Sequence, residues 1–281
     1  LKTKYPKGEI IVPTLTWSSD ISSVMHNNFK PVFVDINLSN LAISFDNLKK
    51  KINKKTIAIF LTHILGLNAL TKEIIKIAKK KNIIIIEDCC ESHGAKFKGK
   101  KIGTFGLISN FSFYYAHHMT TIEGGMISTD SRDVFETCRM LRGHGMVREV
   151  SNESILKLYQ KKFPDLNSKF IFTHPAYNVR STEINAILGI EQLKKLNKNI
   201  IKRNNNFNYF LERLDGNKFF KNFDLNGQSN YAFIIIFSKE YQNMNFRKKF
   251  EKTLNDNRIE FRRGASGGGN QMRQPYVRNT Y

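Results

Sequence analysis

Cysteine is scarce in this sequence, and long apolar runs are missing from it. Only three cysteines occur, two of them adjacent at Cys89 and Cys90, which is too few for a disulfide framework and favours a reducing compartment. The apolar runs that do occur, such as residues 83–86, are far shorter than the ~20 residues that a membrane-spanning helix needs. We therefore expect a cytoplasmic protein that does not act in a membrane.

Acidic residues are also few. The 24 Asp and Glu residues stand against 45 Lys and Arg residues, which gives a formal net charge of +21. Such an excess is typical of nucleic-acid-binding proteins, and a basic nucleic-acid-binding module is one alternative for this chain. The basic residues are nevertheless scattered along the chain and do not form one patch with stacking aromatics. We interpret them as lysines on solvated helix faces and expect no nucleic-acid partner, although the charge could favour anionic substrates.

Short apolar runs alternate with helical patterns over the first part of the chain. The runs at residues 10–12, 32–34, 57–61 and 83–86 predict strands, and their continuous apolar character suits strands that are covered on both faces. Residues 71–78 predict an amphipathic helix with Thr71 as its N-cap. This alternation predicts an α/β domain with a mostly parallel sheet.

A second block follows this domain. Residues 183–214 predict a long helix, residues 231–237 a strand, residues 246–254 a helix and residues 259–261 another strand. The glycine cluster at residues 267–269 predicts a loop. We therefore predict a large α/β domain at residues 1–197 and a smaller α+β domain at residues 198–281, with the long helix as the connector.

A carboxylate directly follows the predicted strand at residues 83–86. Residues 87–95 read EDCCESHGA, which places Asp88 at the carboxyl end of that strand, where ligands of open α/β sheets gather. A carboxylate in this place can keep a pyridine nitrogen protonated, which makes the ring an electron sink. The alternative is an ordinary strand-ending Asp that caps the next turn.

The segment at residues 111–125 reads FSFYYAHHMTTIEGG, within a span from Lys101 to Lys157 that has no internal lysine. It resembles the cofactor-lysine segment of the DegT/DnrJ/EryC1/StrS family of sugar aminotransferases, which depend on pyridoxal phosphate (PLP). In that family Ser-Phe is followed by Lys, and Glu-Gly-Gly begins six positions after the Lys. Counting back six from Glu123 gives His117. Histidine has no primary amine that could form a Schiff base with PLP, but it can transfer protons near neutral pH.

The resemblance covers essentially all of the chain and implies a fold and a cofactor site. The implied fold is the PLP-dependent transferase fold type I, similar to aspartate aminotransferase. By the match to family motifs, Asp88 pairs with the pyridine nitrogen and Glu91 lies near the ring hydroxyl. Trp17 stacks on the ring, unless it is only a core or surface anchor, and Ser112 binds the phosphate.

Residues 177–183 read YNVRSTE and resemble the family's Tyr-Asn-x-Arg-x-x-Glu motif. The resemblance implies that Asn178 reaches the cofactor phosphate of a neighbouring subunit, and hence a homodimer. It implies that Arg180 helps to bind substrate, with a salt bridge at the helix start as the alternative. His118 would point opposite to His117 on an extended backbone, and either binds substrate or fills space. No histidine has a spaced partner that would suggest a metal site.

Histidine in place of the lysine resembles the subgroup of nucleotide-sugar 3-dehydratases in this family. That resemblance implies non-covalent pyridoxamine phosphate (PMP), His117 as the base, loss of the C3 hydroxyl from a nucleotide-linked 4-keto-6-deoxy sugar, and glutamate as the amino donor. One type of dehydratase carries a [2Fe–2S] cluster, for which three cysteines cannot supply four thiolates, so we expect the iron-free type that acts on GDP-4-keto-6-deoxymannose. The alternative is an aminotransferase-like protein with altered or lost activity.

The chain also departs from the family pattern at both ends. It opens with Leu1, almost directly in a strand, and the Ser-Gly-Thr-like segment that cups the cofactor phosphate in the family is absent. It ends at Tyr281, before the final helices of the family's small domain. We therefore expect a fragment of a longer protein.

Overall fold

The computed structural model describes residues 8–264 and 266–280. The two chain ends, on which the expectation of a fragment rests, lie outside these ranges. The strands are β1 (Glu9–Pro13), β2 (Lys30–Val34), β3 (Thr56–Thr62), β4 (Ile84–Asp88), β5 (Lys96–Phe97), β6 (Lys100–Lys101), β7 (Ile108–Ser112) and β8 (Gly125–Ser128). The α-helices are α1 (Ser18–His26), α2 (Phe45–Lys51), α3 (Lys72–Lys81), α4 (Arg132–Arg142), α5 (Glu153–Lys162), α6 (Glu183–Arg213), α7 (Met244–Asp256) and α8 (Pro275–Arg278).

Six of these strands form one sheet in the order β2-β1-β3-β4-β7-β8. All neighbours from β2 to β7 pair in parallel, and only β8 runs antiparallel to its neighbour. Strands β5 and β6 form a separate antiparallel hairpin. The predicted α/β architecture with a mostly parallel sheet is confirmed, and the four predicted strands correspond to β1 to β4.

Both faces of the sheet are covered, which explains why the strands are continuously apolar. On one face, Ile59 of β3 packs in a cluster with Leu48 of α2 and Ile74 of α3. On the other face, Phe60 packs in a second cluster with residues of α1 and with Val277 of α8. The sheet therefore holds its strand ends in fixed positions between two buried layers.

Helix α3 begins at the predicted cap. The Thr71 Oγ1 accepts a hydrogen bond from the Ile74 backbone N–H at 3.1 Å, which satisfies one of the backbone donors that a helix start leaves unpaired. The helix ends at Asn82, which adopts the left-handed conformation (φ 52°) that Asn tolerates better than most residues. The predicted N-cap is confirmed.

Two predicted strands in the second block were wrong. Residues 231–237 form no strand apart from an isolated bridge between Phe219 and Phe237, because their backbone donors are used elsewhere: the Tyr231 N–H bonds the Leu65 carbonyl. Residues 259–261 are irregular, and the Ile259 N–H bonds back to the end of α7. An apolar, β-favouring run becomes a strand only where a partner strand can pair with it.

The predicted long helix is confirmed as α6, and the predicted helix at residues 246–254 lies within α7. The second half of α6 packs Phe207 and Leu211 against Ile64 and Leu67, which follow β3. The boundary that we predict at residue 197 falls inside this helix, and the division into two domains stays a prediction. None of the helices in the described ranges combines the length and the apolarity of a bilayer span.

We expect Thr71→Ala to lower the free energy of unfolding by about 1 kcal/mol, because the first turn of α3 loses its side-chain acceptor. Urea denaturation would measure the change. The matched control is Lys76→Ala on the exposed side of the same helix, which should stay within about 0.5 kcal/mol of the parent. Equal effects of the two substitutions would contradict the capping role.

Candidate active site

The carboxyl ends of the parallel strands bring the predicted cofactor residues to one edge of the sheet. Of these residues, Trp17 follows β1, Asp88 ends β4 and Ser112 ends β7. Thr62, for which we predicted no role, ends β3 at the same edge. Parallel strands share one direction, so their carboxyl ends meet at the same edge, where open α/β sheets bind ligands. The candidate site lies along this edge.

Asp88 is a buried, oriented carboxylate. It is 5% exposed, and its Oδ1 accepts hydrogen bonds from the Cys90 backbone N–H at 3.0 Å and from the Asn110 Nδ2 at 2.9 Å. Two donors on one oxygen fix the plane of the carboxylate. The carboxylate of Asp88 is therefore held in one orientation at the end of β4, where it could contact a ligand.

His117 lies in a turn after β7, where its backbone N–H bonds the Tyr114 carbonyl. Its ring centroid is 5.5 Å from that of Tyr231 and 6.0 Å from that of His93. Burial lowers the pKa of His117, and the nearby charge of Asp88 opposes this fall only in part. The ring Nδ1 has no hydrogen-bond partner among the described residues. His117 therefore presents a neutral imidazole with an uncommitted nitrogen.

His118 occupies a different environment from its neighbour. The chain bends at both residues, so the extended backbone that we expected is wrong, because the turn at residues 114–117 replaces it. His118 is buried, and its Nε2 lies 2.9 Å from the Ser229 carbonyl oxygen and 3.1 Å from the Asn230 carbonyl oxygen. Burial lowers the pKa of His118 to about 4. These contacts favour the space-filling alternative for His118.

His93 completes a cluster of three neutral histidines. Its ring lies 5.6 Å from that of His118 and 5.9 Å from that of Phe111. Neither ring nitrogen makes a hydrogen bond of ordinary geometry among the described residues, although the Ser112 backbone lies near enough to oppose the fall of the pKa. Burial lowers the pKa of His93 to about 3. The structure places the His93 ring beside the rings of His117 and His118.

Glu91 and Trp17 are the other two residues that we predict around the cofactor ring. The Glu91 Oε2 accepts a hydrogen bond from the Leu65 backbone N–H at 2.8 Å, and the charge of Glu91 adds to burial in raising the pKa of Tyr231. Trp17 is 54% exposed, which excludes the core alternative for its indole ring in this chain. The glycine loop packs behind it, since a Cβ on Gly267 would lie 2.5 Å from the Thr16 carbonyl oxygen.

Asn178 and Arg180 lie away from these residues on an exposed segment. The Arg180 Nη1 donates to the Glu149 Oε1 at 2.9 Å, and its Nε donates to the Asn178 Oδ1 at 3.0 Å. The salt bridge near the start of α6 therefore exists. Ser112 lies at the sheet edge, and its Oγ accepts a hydrogen bond from the Tyr114 backbone N–H. Their predicted roles in binding stay predictions.

Three potential metal ligands meet below the site: His63, Glu87 and Cys89. Glu87 already accepts hydrogen bonds from three backbone N–H groups, those of Gly103, Phe105 and Gly106, and pairs with the His63 Nε2. The His63 Nδ1 accepts a further hydrogen bond from the Ala69 N–H. Lone pairs that are committed in this way are unavailable to a metal ion, so the arrangement is a structural hydrogen-bond cluster.

Asp20 is the residue that sequence reasoning missed. It sits in the first turn of α1, and it is buried together with Ile21 and Val24 on the apolar side of that helix. An acidic residue in the first turn of a helix is common because it complements the helix dipole. The signal that could have revealed it is its position on the apolar face.

The comparison with known proteins agrees with this geometry. The model of the DegT/DnrJ/EryC1/StrS aminotransferase family matches residues 1–280. The chain belongs to this family. The predicted PLP-dependent transferase fold is confirmed by a solved relative, a GDP-4-keto-6-deoxymannose-3-dehydratase with a trapped PLP–glutamate geminal diamine, which superimposes with a TM-score of 0.82 at 33% identity and matches 95% of this chain and 68% of its own.

Several curated relatives are named as sugar 3-dehydratases. The GDP-4-keto-6-deoxy-D-mannose 3-dehydratase of Escherichia coli O55:H7 is 36% identical over 269 residues, which are 95% of this chain and 68% of that protein. The enzyme of the same name from Yersinia pseudotuberculosis is 35% identical over 240 residues, 85% of this chain and 61% of that protein. This chain thus spans roughly two thirds of the length of these relatives.

Proposed function

We propose that this chain belongs to a nucleotide-sugar 3-dehydratase that binds PMP or PLP without a covalent bond. The substrate would be a nucleotide-linked 4-keto-6-deoxy sugar, with GDP-4-keto-6-deoxymannose as the first candidate. The observation that carries the proposal is the neutral imidazole of His117, with its uncommitted Nδ1, at the position where the family has lysine. The dehydratase names of the relatives support the choice of substrate.

The side chains at the sheet edge fit a pyridoxal-type cofactor. Asp88 offers a buried, oriented carboxylate to a protonated ring nitrogen, and Trp17 offers an open indole face to the ring. Ser112 offers a hydroxyl to the phosphate, and Glu91 a carboxyl to the ring hydroxyl. When bound, the cofactor would supply an electron sink for breaking bonds at the carbon next to it. The sequence supports non-covalent binding of the cofactor, because residues 111–125, which correspond to the cofactor-lysine segment of the family, contain no lysine.

His117 is the group that we assign to proton transfer. Its free-base form at neutral pH can accept a proton from the C4′ carbon of the cofactor, and the resulting imidazolium would be stabilised by the charge of Asp88. The rings of Tyr231, Tyr114 and His93 lie within 6.0 Å of its ring, and the buried position of its Nδ1 limits contact with bulk water. The base then returns its proton to the departing C3 hydroxyl, so that water leaves.

The remaining assignments follow from the same proposal. We propose glutamate as the amino donor, no iron–sulfur cluster, and Arg180 as a substrate contact once its partners rearrange. His118 supports the turn that holds His117, through its contacts with two backbone carbonyls. The cytoplasmic location stays a prediction. The surplus of positive charge would attract an anionic nucleotide sugar over a distance.

A homodimer is part of the proposal, and an uncovered apolar face supports it. The first half of α6 exposes several large apolar side chains: Ile184, Ile187, Ile190 and Leu193 are each at least 57% exposed. Tyr177 and Val179, which flank Asn178, are 82% and 68% exposed. Contiguous apolar surface of this kind marks an interaction site. A second copy on this face would place Asn178 at the interface, as the resemblance implies.

We expect His117→Asn to lower kcat by about a hundred- to ten-thousand-fold, the usual contribution of a positioned base. The amide retains a polar group near the Nδ1 position but does not accept a proton at neutral pH. The assay incubates the enzyme with GDP-4-keto-6-deoxymannose, PMP and glutamate and identifies the product by mass. Cofactor affinity, measured by absorbance, should stay within about tenfold of the parent, because His117 does not anchor the cofactor.

The matched control for this variant is His118→Gln, whose amide can still donate to the Ser229 and Asn230 carbonyls. We expect its kcat to fall by less than about tenfold, since His118 is assigned to structure. A loss of turnover in His118→Gln with normal turnover in His117→Asn would reverse the roles of the two histidines.

The pKa of His117 should lie below its ordinary value of 6.5, which an NMR titration of the ring C–H resonances would measure in the cofactor-free protein. Because the charge of Asp88 favours the imidazolium, Asp88→Asn should lower the pKa of His117 further. At pH 7 the ring is neutral in both proteins. A pKa that rises in Asp88→Asn would show that Asp88 does not act on this ring.

We expect Ile187→Asp to produce a monomer in light scattering after size exclusion, because a charge on the uncovered face of α6 opposes its burial. Cofactor affinity should fall with dimerisation if Asn178 acts across the interface. Met244→Asp is the control, since Met244 is also exposed but lies at the start of α7. A dimer that survives Ile187→Asp would move the interface to another surface.

A further inference from the structure

A second carboxyl group is buried directly behind the cofactor edge. Asp20 is 3% exposed, although acidic residues are almost never fully buried unless they are paired. Its helix contributes apolar neighbours, Ile21 and Val24, and these offer no compensation for a charge. The burial of Asp20 therefore requires either a counter-charge or a proton.

The hydrogen bonds of Asp20 come from two threonine hydroxyls. The Oδ2 accepts from the Thr16 Oγ1 and from the Thr62 Oγ1, the latter at 2.8 Å, and the two hydroxyl oxygens lie 2.6 Å apart. A hydroxyl can donate or accept, so this pair suits a neutral carboxyl as well as a charged one. With the Oδ2 occupied, the Oδ1 is the oxygen that can carry a proton.

Asp88 is the group that can accept a hydrogen bond from this proton. Thr62 is the register partner of Asp88 in the β3–β4 pair, so a side chain that bonds Thr62 is brought to the end of β4. Neighbouring residues on adjacent parallel strands point their side chains to the same face of the sheet, so the Asp20 carboxyl that accepts from the Thr62 Oγ1 lies beside the Asp88 carboxyl. Two carboxyls that lie side by side away from water can hydrogen-bond to each other only if one of them is protonated. The donors on Asp88 are an amide N–H and a backbone N–H, which cannot reverse, so Asp88 is the better place for the negative charge.

The other titratable groups around the pair add no counter-charge that would let both carboxyls ionise. Cys90 follows β4, and burial, with the charge of Asp88, raises the pKa of its thiol far above the ordinary range. Tyr276 of α8 is held neutral, since burial raises its pKa. His117 is neutral at pH 7. Burial and the charge of Asp88 together raise the pKa of Asp20 well above its ordinary value.

We propose that Asp20 and Asp88 share one proton as a buried carboxyl–carboxylate pair, in which Asp20 is the neutral partner that donates to Asp88. Asp20 is then a positioning residue for the candidate site. Its hydrogen bond would help to hold the Asp88 carboxylate in place at the sheet edge, so that the pair carries a single negative charge to match a single pyridinium. This last consequence rests on the proposed cofactor, whereas the shared proton belongs to the protein alone.

Infrared spectroscopy of the cofactor-free protein tests the pair directly. We expect a carbonyl band of a protonated carboxylic acid at pH 7, which shifts in heavy water and is absent in Asp20→Asn. Asp46→Asn, which replaces an exposed acidic residue, should leave the band unchanged. A spectrum of the parent protein without this band at pH 7 would overturn the proposal, whether or not the variant folds.

The pH dependence of stability gives a second readout. Because the folded protein holds the proton of Asp20 more tightly than the unfolded chain does, the stabilisation is fully present below the unfolded pKa of about 4 and is lost as pH rises toward the folded value. The amide in Asp20→Asn mimics the neutral acid without titrating. The folding equilibrium constant of the variant, relative to the parent, should therefore rise up to about tenfold per pH unit above pH 4. A ratio that stays flat would contradict the shared proton.

Cofactor binding separates this proposal from the proposed function. We expect Asp20→Asn to bind PMP within about tenfold of the parent, and Asp20→Ala, which cannot donate to Asp88, to bind more weakly than Asp20→Asn. A protein with the infrared band and without dehydratase turnover would support the carboxyl pair and overturn the dehydratase. Turnover without the band would do the reverse.

Discussion

The buried negative charge at the end of β4 is the interaction on which the candidate site depends. Asp88 receives two hydrogen bonds that fix its carboxylate, and its charge acts on several titratable groups, including His117 and Asp20. It favours the imidazolium of His117 against the effect of burial, and it raises the pKa of Asp20. Removing this one charge would lower the pKa of His117 further and would remove one of the causes, after burial, that raise the pKa of Asp20. The charge of Asp88 thus influences the protonation of both His117 and Asp20.

Burial works in the opposite direction on the histidines. His93, His117 and His118 lie within one aromatic cluster, and desolvation is the largest cause of the lowered pKa at each of them. The protein carries a large positive charge, yet the cluster itself contributes none at neutral pH. In the proposed function, attraction of an anionic ligand would come from the surface over a distance, whereas His117 would act as a neutral base that can accept a proton. The positive charge of the surface and the neutrality of the histidine cluster are separate properties, because they belong to different parts of the molecule.

The parts of the structure that could be predicted from sequence are those that local patterns determine. The apolar runs give β1 to β4, the cap at Thr71 gives the start of α3, and the motif spacing selects Asp88 and His117. The strand that we predict at residues 231–237 was wrong because a strand needs a partner strand. Whether a partner is available depends on segments that are distant in the chain, such as the one that contains Leu65. The hydrogen-bond partners of Asp20 could not be predicted for the same reason. One of its two threonine partners is Thr62 at the end of β3, which lies 42 positions later in the chain.

The same distinction applies to the assembly. Within one copy, Asn178 and Arg180 bond to each other on a segment whose neighbours Tyr177 and Val179 are largely exposed. Leaving such side chains in water forgoes about 25 cal/mol for each Å² of apolar surface that burial would remove. The family motif at residues 177–183 therefore coincides with apolar surface whose exposure to water is unfavourable. In the homodimer that we propose, covering that surface and delivering Asn178 to a neighbouring cofactor are one event, so the stability of the assembly and the completeness of each site would rise and fall together.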